Sequence, residues 1–169
     1  MKAKLIIEDK EIEIEISEEE YKKLQPSEEK KTGYERVAES DVYFYTYPSG
    51  CVETTCETCY DIDDECYASA NYYSDKTVAE NNARADKLMR QLRRFSVEHR
   101  EDGVNLNDMN TRQYCIYYDY GNNTLGTAFT LCAKTFGVIC FDSDETALAA
   151  INAFREELIW YFTEYKDSL

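Results

Sequence analysis

Cys51-Val-Glu-Thr-Thr-Cys56-Glu-Thr-Cys59-Tyr-Asp-Ile-Asp-Asp-Glu-Cys66 carries four of the chain's seven cysteines at C-x4-C-x2-C-x6-C spacing, among carboxylates and without Lys or Arg. A structural zinc takes four soft ligands in a tetrahedron, and a C-x2-C pair supplies two because a tight turn points both sulfurs to one side. Cys56 and Cys59 have that spacing, and Cys51 and Cys66 stand where the loop would leave and rejoin a sheet. The spacing therefore points to a structural Zn2+ held by Cys51, Cys56, Cys59 and Cys66, with Thr55 and Thr58 as hydrogen-bond donors to the thiolates. Only one knuckle is regular, and no glycine follows it. Free thiols on a surface loop remain an alternative, as does a redox pair. Redox use would need C-x-x-C at the start of an amphipathic helix, and Tyr60-Asp-Ile-Asp-Asp-Glu65 does not read as one.

Outward from this loop the chain is aromatic and strand-like. Val42 to Tyr47 reads as a strand, Pro48-Ser-Gly50 as a turn and Cys51 to Thr55 as the returning strand, with Tyr67 to Tyr73 resuming the sheet after the loop. Ser74-Asp-Lys-Thr77 caps a long helix whose apolar stripe is Val78, Ala85, Leu88, Leu92 and Phe95, running to about His99. The second half repeats the plan. Arg112 to Tyr120, Thr124 to Ala133 and Phe136 to Phe141 read as strands, and Ser143-Asp-Glu-Thr146 caps a helix with the stripe Leu148, Ile151, Phe154, Leu158, Phe162 and Tyr165. The fold class is therefore α+β: a multistranded antiparallel sheet covered by two long helices, with a possible internal duplication.

Before this main domain of residues 41–169 comes a different pattern. Lys4 to Ile7 and Glu11 to Ile16 alternate apolar and charged residues at period two, which predicts an N-terminal β-hairpin with Ile12, Ile14 and Ile16 on one face. Ser17 and Glu20 have capping-box spacing, so a short helix should run to Leu24 before Pro26. Residues 1–24 thus form a separable arm, and the polar stretch 25–40 reads as a linker.

The 34 acidic residues outnumber 19 Lys and Arg, for a net charge of −15. Such a field repels nucleic-acid backbones and favours basic partners, so direct nucleic-acid binding is disfavoured. No apolar run approaches the roughly 20 residues of a membrane span, and the N-terminus lacks a secretory pattern. A cytoplasmic location is expected, where an odd set of cysteines favours metal or buried thiols over disulfides. Cys115, Cys132 and Cys140 read as small buried hydrophobes.

The acidic residues of the loop, Glu53, Glu57, Asp61, Asp63, Asp64 and Glu65, lack EF-hand spacing. They read either as a solvated edge or as a phosphate-mimicking patch for a partner's basic groove. Trp160 falls off the apolar stripe of the second helix, as an interface anchor or as a residue covered by the arm. His99, the one histidine, shares a face with Leu92 and Phe95 and reads as a core residue. Arg84, Lys87, Arg90, Arg93 and Arg94 lie away from the apolar stripe; this is a solvated face or, alternatively, a phosphate-binding one. No P-loop, nucleophile elbow or dinucleotide fingerprint is present, and four thiolates would leave a zinc no open position, so catalysis is not expected.

Several stretches together resemble small accessory proteins of Gram-positive phages and prophages. They are the opening Met1-Lys-Ala-Lys-Leu-Ile-Ile hairpin, Pro48-Ser-Gly50-Cys-Val, Tyr73-Ser-Asp-Lys-Thr, Gln91-Leu-Arg-Arg-Phe95, Tyr114-Cys-Ile-Tyr-Tyr-Asp119 and Phe141-Asp-Ser-Asp-Glu-Thr-Ala147. This group includes anti-CRISPR inhibitors of the type II RNA-guided DNA nuclease. The resemblance implies a stoichiometric inhibitor encoded by a mobile element, acting in the bacterial host cytoplasm by binding that nuclease and impeding its access to target DNA. Many members have only a short turn in place of the four-cysteine loop. The resemblance carries over no contact residue.

Overall fold

The structure, a computed structural model, describes residues 2–7, 10–15, 17, 31–131 and 133–168. The chain divides into two compact units, Met1–Lys31 and Thr32–Leu169. In the first, β1 (Lys2–Ile7) and β2 (Lys10–Glu15) pair antiparallel from Lys2 opposite Glu15 to Ile7 opposite Lys10. The expected helix over 17–24 lies outside the described residues except for Ser17.

The second unit opens with two hairpins built on one plan. β3 (Val42–Thr46) pairs antiparallel with β4 (Val52–Cys56) around the Pro48-Ser49-Gly50 turn, where Gly50 takes the positive φ of 87° that a side chain resists. β5 (Gln113–Asp119) pairs with β6 (Thr124–Thr130), and the Asp119 carboxylate closes their turn by accepting from the Gly121 and Asn122 amides at 2.8 and 3.3 Å. A single bridge extends each hairpin, Phe44 with Tyr73 and Tyr114 with Phe141. Two residues past each bridge stands a helix cap. The Asp75 side chain accepts from Val78 N to start α2 (Lys76–Glu98), and Ser143 accepts from Thr146 N to start α3 (Asp144–Ala153).

Three expectations are corrected here. The expected third strands, Tyr67 to Tyr73 and Phe136 to Phe141, shrink to those single bridges. Residues Asp61–Ala68 form helix α1 instead, with Asp61, Asp63 and Asp64 in its first turn, where the helix dipole favours negative charge. The hairpins also remain separate two-stranded sheets and do not join. Helix α2 packs on β3 and β4 and on the C-terminal helices, while α3 packs on β5 and β6.

The second long helix is broken. Phe154 ends α3 and starts α4 (Arg155–Thr163), with φ −121° and ψ 23°. Its ring meets Phe95 edge-on at 5.7 Å, so the break seats an aromatic against α2. The face that α3 turns inward is Ala147, Ala150 and Ile151, and Leu148, placed on the stripe by its spacing, is 44% exposed. Small residues at a helix contact let the axes approach closely. The larger of two core clusters joins Leu88 and Leu92 to Phe141, Ile151 and Leu158. The smaller joins Tyr73, Val78 and Ala79, with Tyr34, Phe44 and Val52 packed against it.

Residues 32–40, expected in the linker, belong to the second unit. Gly33 is buried with φ 90°, and a Cβ there would stand 2.7 Å from Val78 Cγ2. Its carbonyl accepts from Ser74 N at 2.8 Å, and Glu35 accepts from Ser74 Oγ at 2.9 Å. Donors from Thr32 hold the Glu35 carboxyl down to about 2.

Candidate binding surface around the cysteine loop

Two carboxylates organise the loop between β4 and α1. Glu57 is 1% exposed, and its oxygens accept from Arg36 Nε and Nη2 at 2.9 and 3.0 Å, from Tyr72 OH at 2.8 Å and from Cys59 N at 2.9 Å. A buried carboxylate is costly unless it is paired and its lone pairs are filled; here both conditions hold. The Arg36 guanidinium, followed by the Tyr72 hydroxyl, holds the Glu57 carboxyl down to about 2 against the opposing effect of burial. Asp63, 2% exposed, accepts from Thr58 Oγ1 at 2.6 Å, Thr58 N at 2.9 Å, Tyr43 OH at 2.7 Å and Tyr60 N at 3.3 Å. These donors, Thr58 foremost, hold its carboxyl well below the usual range.

The two networks share one aromatic wall. The rings of Tyr43 and Tyr72 stack with centroids 3.9 Å apart, and Tyr67 meets Tyr72 edge-on at 5.4 Å. Burial pushes the Tyr72 hydroxyl up to about 12 and the Tyr43 hydroxyl higher still. Both phenols therefore stay protonated and donate to carboxylates at neutral pH. Arg36 also reaches Asp64 with Nη1 at 2.6 Å, tying α1 to residues 32–40 from outside.

The structure does not gather the four cysteines of the expected zinc knuckle into one site. Cys51 precedes β4 and Cys56 ends it, five residues on, a rise of roughly 16 Å that leaves the two side chains on opposite faces. Two sulfurs on one zinc lie about 4 Å apart. Among the described residues no three Cys, His, Asp or Glu side chains come together as a metal site. Cys51, Cys56 and Cys59 are exposed and Cys66 is half-buried within α1. Cys59 has the left-handed φ of 57°, supported by the bond from its amide to Glu57.

The expected partner-binding residues separate into two groups. Glu57 and Asp63 face inward and cannot touch a partner. Trp160 is also removed from the surface, being 8% exposed beneath Arg84, whose guanidinium carbon lies 3.9 Å from the ring centroid. Arg84 is in turn fixed to Glu157 at 2.7 and 3.2 Å. Glu53, Asp61, Asp64 and Glu65 remain exposed. Beside them stand Tyr60, Ile62 and Tyr67 at 72%, 61% and 45% exposure, on or next to α1. His99 is exposed rather than a core residue; it caps α2, stacked on Phe95 at 3.8 Å.

Arg36 is the site residue the sequence reading missed, because it lies in the presumed linker. It is the one basic residue between Lys31 and Lys76, and a lone cation facing an acidic loop is the signal that could have located it. Fold and site together define an acidic α+β module that displays carboxylates and large apolar side chains on one short, clamped helix. No protein-family model, curated protein or solved structure matches the chain. No helix among the described residues is long and apolar enough to cross a membrane.

Proposed function

We propose that this protein acts by binding another protein, the type II RNA-guided DNA nuclease, and that it impedes target-DNA binding by occupying a basic surface of that enzyme. One observation carries the binding reading: Asp61, Asp64 and Glu65 share α1 with exposed Ile62 and Tyr67. Exposed aromatic and aliphatic side chains supply contact area, and the surrounding carboxylates steer a basic partner and set its register. The net charge of −15 extends the same field over the molecule. The choice of nuclease rests on the resemblance to phage-encoded inhibitors, and with it come a mobile-element origin and action in the host cytoplasm. The two hairpin-to-helix halves, with caps at Asp75 and Ser143, are read as copies of one unit.

The test is cleavage of a target plasmid by guide-loaded type II nuclease with a few-fold excess of this protein. Wild type should suppress cleavage, and Asp61→Lys combined with Glu65→Lys should restore it while leaving the circular dichroism spectrum unchanged. Full cleavage with wild-type protein across several type II nucleases would remove the nuclease from the proposal. Suppression that survives the double reversal would remove α1 from the interface.

A further inference from the structure

A cavity of about 490 Å3 lies between the last turns of α2 and segment 134–140, lined in part by Arg93, Val97, Arg100, Gln113, Lys134 and Phe136. Among the described residues that line it none is acidic, although the chain holds 34 Asp and Glu. Among the described residues Arg93 and Arg100 form no ion pair, and Lys134 Nζ donates to the neutral Asn107 Oδ1 at 2.7 Å.

Among the described residues, two buried polar atoms of these lining residues lack a partner: Arg100 Nε, a donor, and Gln113 Oε1, an acceptor. Gln113 is 6% exposed, and its Nε2 donates to Leu106 O at 2.9 Å, which fixes which end of the amide carries the orphan oxygen. Native proteins leave few such groups, and each calls for something to satisfy it. The same lining includes two exposed apolar side chains, Phe136, fully exposed, and Val97, 65% exposed.

An occupant that answers all of these features carries an anionic oxygen for the cations, an N–H or O–H donor for Gln113, and a flat apolar body for Phe136. Inorganic phosphate has no such body, and a simple carboxylic acid brings no donor once ionised. We propose that this cavity binds a nucleoside phosphate, with the phosphate toward Arg93, Arg100 and Lys134, a base or sugar donor toward Gln113 Oε1, and the base against Phe136. The cavity lies within the usual range for small-molecule sites, and stacking on an exposed aromatic ring tolerates any base. The nucleotide is either free or part of a single strand. This site is independent of the nuclease-binding reading, and neither result decides the other.

The experiment is isothermal titration of the full chain with AMP, a short oligo(dA), inorganic phosphate and adenosine, in low salt. AMP or oligo(dA) should bind, with phosphate and adenosine each weaker by about tenfold or more, since each lacks one set of contacts. Tighter binding of the oligonucleotide assigns the site to a strand, and equal binding assigns it to the free nucleotide. Arg93→Gln, at an exposed position that leaves the fold intact, and Arg100→Gln should each weaken binding by about tenfold. Arg84→Gln, outside the cavity, should not. No binding at millimolar AMP or oligo(dA), phosphate binding as tightly as AMP, or equal affinity in the Arg93 and Arg100 variants would overturn the proposal.

Discussion

The Arg36 guanidinium meets the Glu57 carboxylate side-on, Nε and Nη2 each donating to one oxygen at 2.9 and 3.0 Å. This fork joins residues 32–40 to the loop that follows β4, and Tyr72 completes it from the other side. Replacing Arg36 with Met leaves the carboxylate buried without its counter-charge, the situation most damaging to a buried pair. Amide exchange over residues 57–68 should accelerate strongly while the second half of α2 stays protected. Unchanged protection of the loop would show that the pair is not what fixes it.

The same pair sets an acid limit. Glu57 falls from the ordinary 4.5 to about 2 on folding, and Glu35 does the same. A carboxyl whose pKa is depressed in the folded state stabilises fully above its unfolded value, and that stability is lost as the pH falls through the folded value. The melting temperature should therefore hold down to about pH 4.5 and fall toward pH 2. Glu57→Gln should melt lower than wild type at pH 7, with the two curves converging near pH 2. Parallel curves across that range would exclude Glu57 as a titrating contributor.

At the alkaline end the buried phenols act in the opposite direction. Burial raises Tyr72, Tyr73 and Tyr165 from 10.0 to about 12. A group with a raised folded pKa gives stability that is complete below its unfolded value and is lost as the pH rises through the folded one. Unfolding followed by circular dichroism should thus set in between pH 10 and 12, together with a late rise in tyrosinate absorbance. A single tyrosine transition near pH 10, with the fold intact, would refute the burial assignment.

Much of the backbone plan was legible in the residues, because period-two aromatic runs and capped apolar stripes are local signals. Asp75 and Ser143 cap α2 and α3 from within the two motifs that marked them. Tyr67 was misplaced because its strand-like neighbours, Ala68 to Tyr73, outweighed the acidic first turn that makes 61–68 helical. The four-cysteine spacing does not by itself say whether the sulfurs converge. C-x4-C spacing is compatible with a knuckle only if Cys51 to Cys56 can bend, and pairing of Val52 to Cys56 with β3 keeps that stretch extended. Glu57 and Asp63 looked like surface acids because their partners, Arg36, Tyr43 and Tyr72, are distant in sequence.

Thiol accessibility separates the two accounts of the loop. Cys51, Cys56 and Cys59 are exposed, so all three should react with Ellman's reagent in the folded protein, with or without chelator. Cys59 should be slowest, since desolvation and then the Glu57 carboxylate push its thiol up and reduce its thiolate fraction. Thiols that stay silent until a chelator is added would establish the zinc site and require β4 to open at Cys51.

Gly33 provides a packing test independent of charge. Alanine there meets both the positive φ of 90° and Val78 Cγ2 at 2.7 Å. Backbone strain and overpacking together should cost about 2–4 kcal/mol, a fall in Tm of the order of 10 °C. The combined Gly33→Ala and Val78→Ala variant removes the Cγ2 contact, leaves the Val78 Cβ at 3.1 Å and keeps the strain, so the two changes should be less than additive. Strict additivity would separate Gly33 from Val78.

Cys115 and Cys140 stand one step along from the Tyr114–Phe141 bridge. Tyr114 and Phe141 exchange both backbone hydrogen bonds, at 2.9 and 2.8 Å, and one further step of the same antiparallel register would set Cys115 opposite Cys140. Cα atoms of a non-hydrogen-bonded antiparallel pair lie about 4.5 Å apart, inside the range a disulfide spans. Both thiols are free and half-buried, and burial followed by the neighbouring Cys115 pushes the Cys140 thiol up. In a variant with Cys51, Cys56, Cys59, Cys66 and Cys132 changed to Ser, oxidised glutathione should accept the two electrons. One cysteine first forms a mixed disulfide, and the second displaces glutathione, leaving a Cys115–Cys140 bond and two glutathione thiols. Peptide mapping should find the crosslink, and loop closure should raise stability by about 3 kcal/mol. Mixed disulfides that persist at both positions would show that the two sulfurs do not meet.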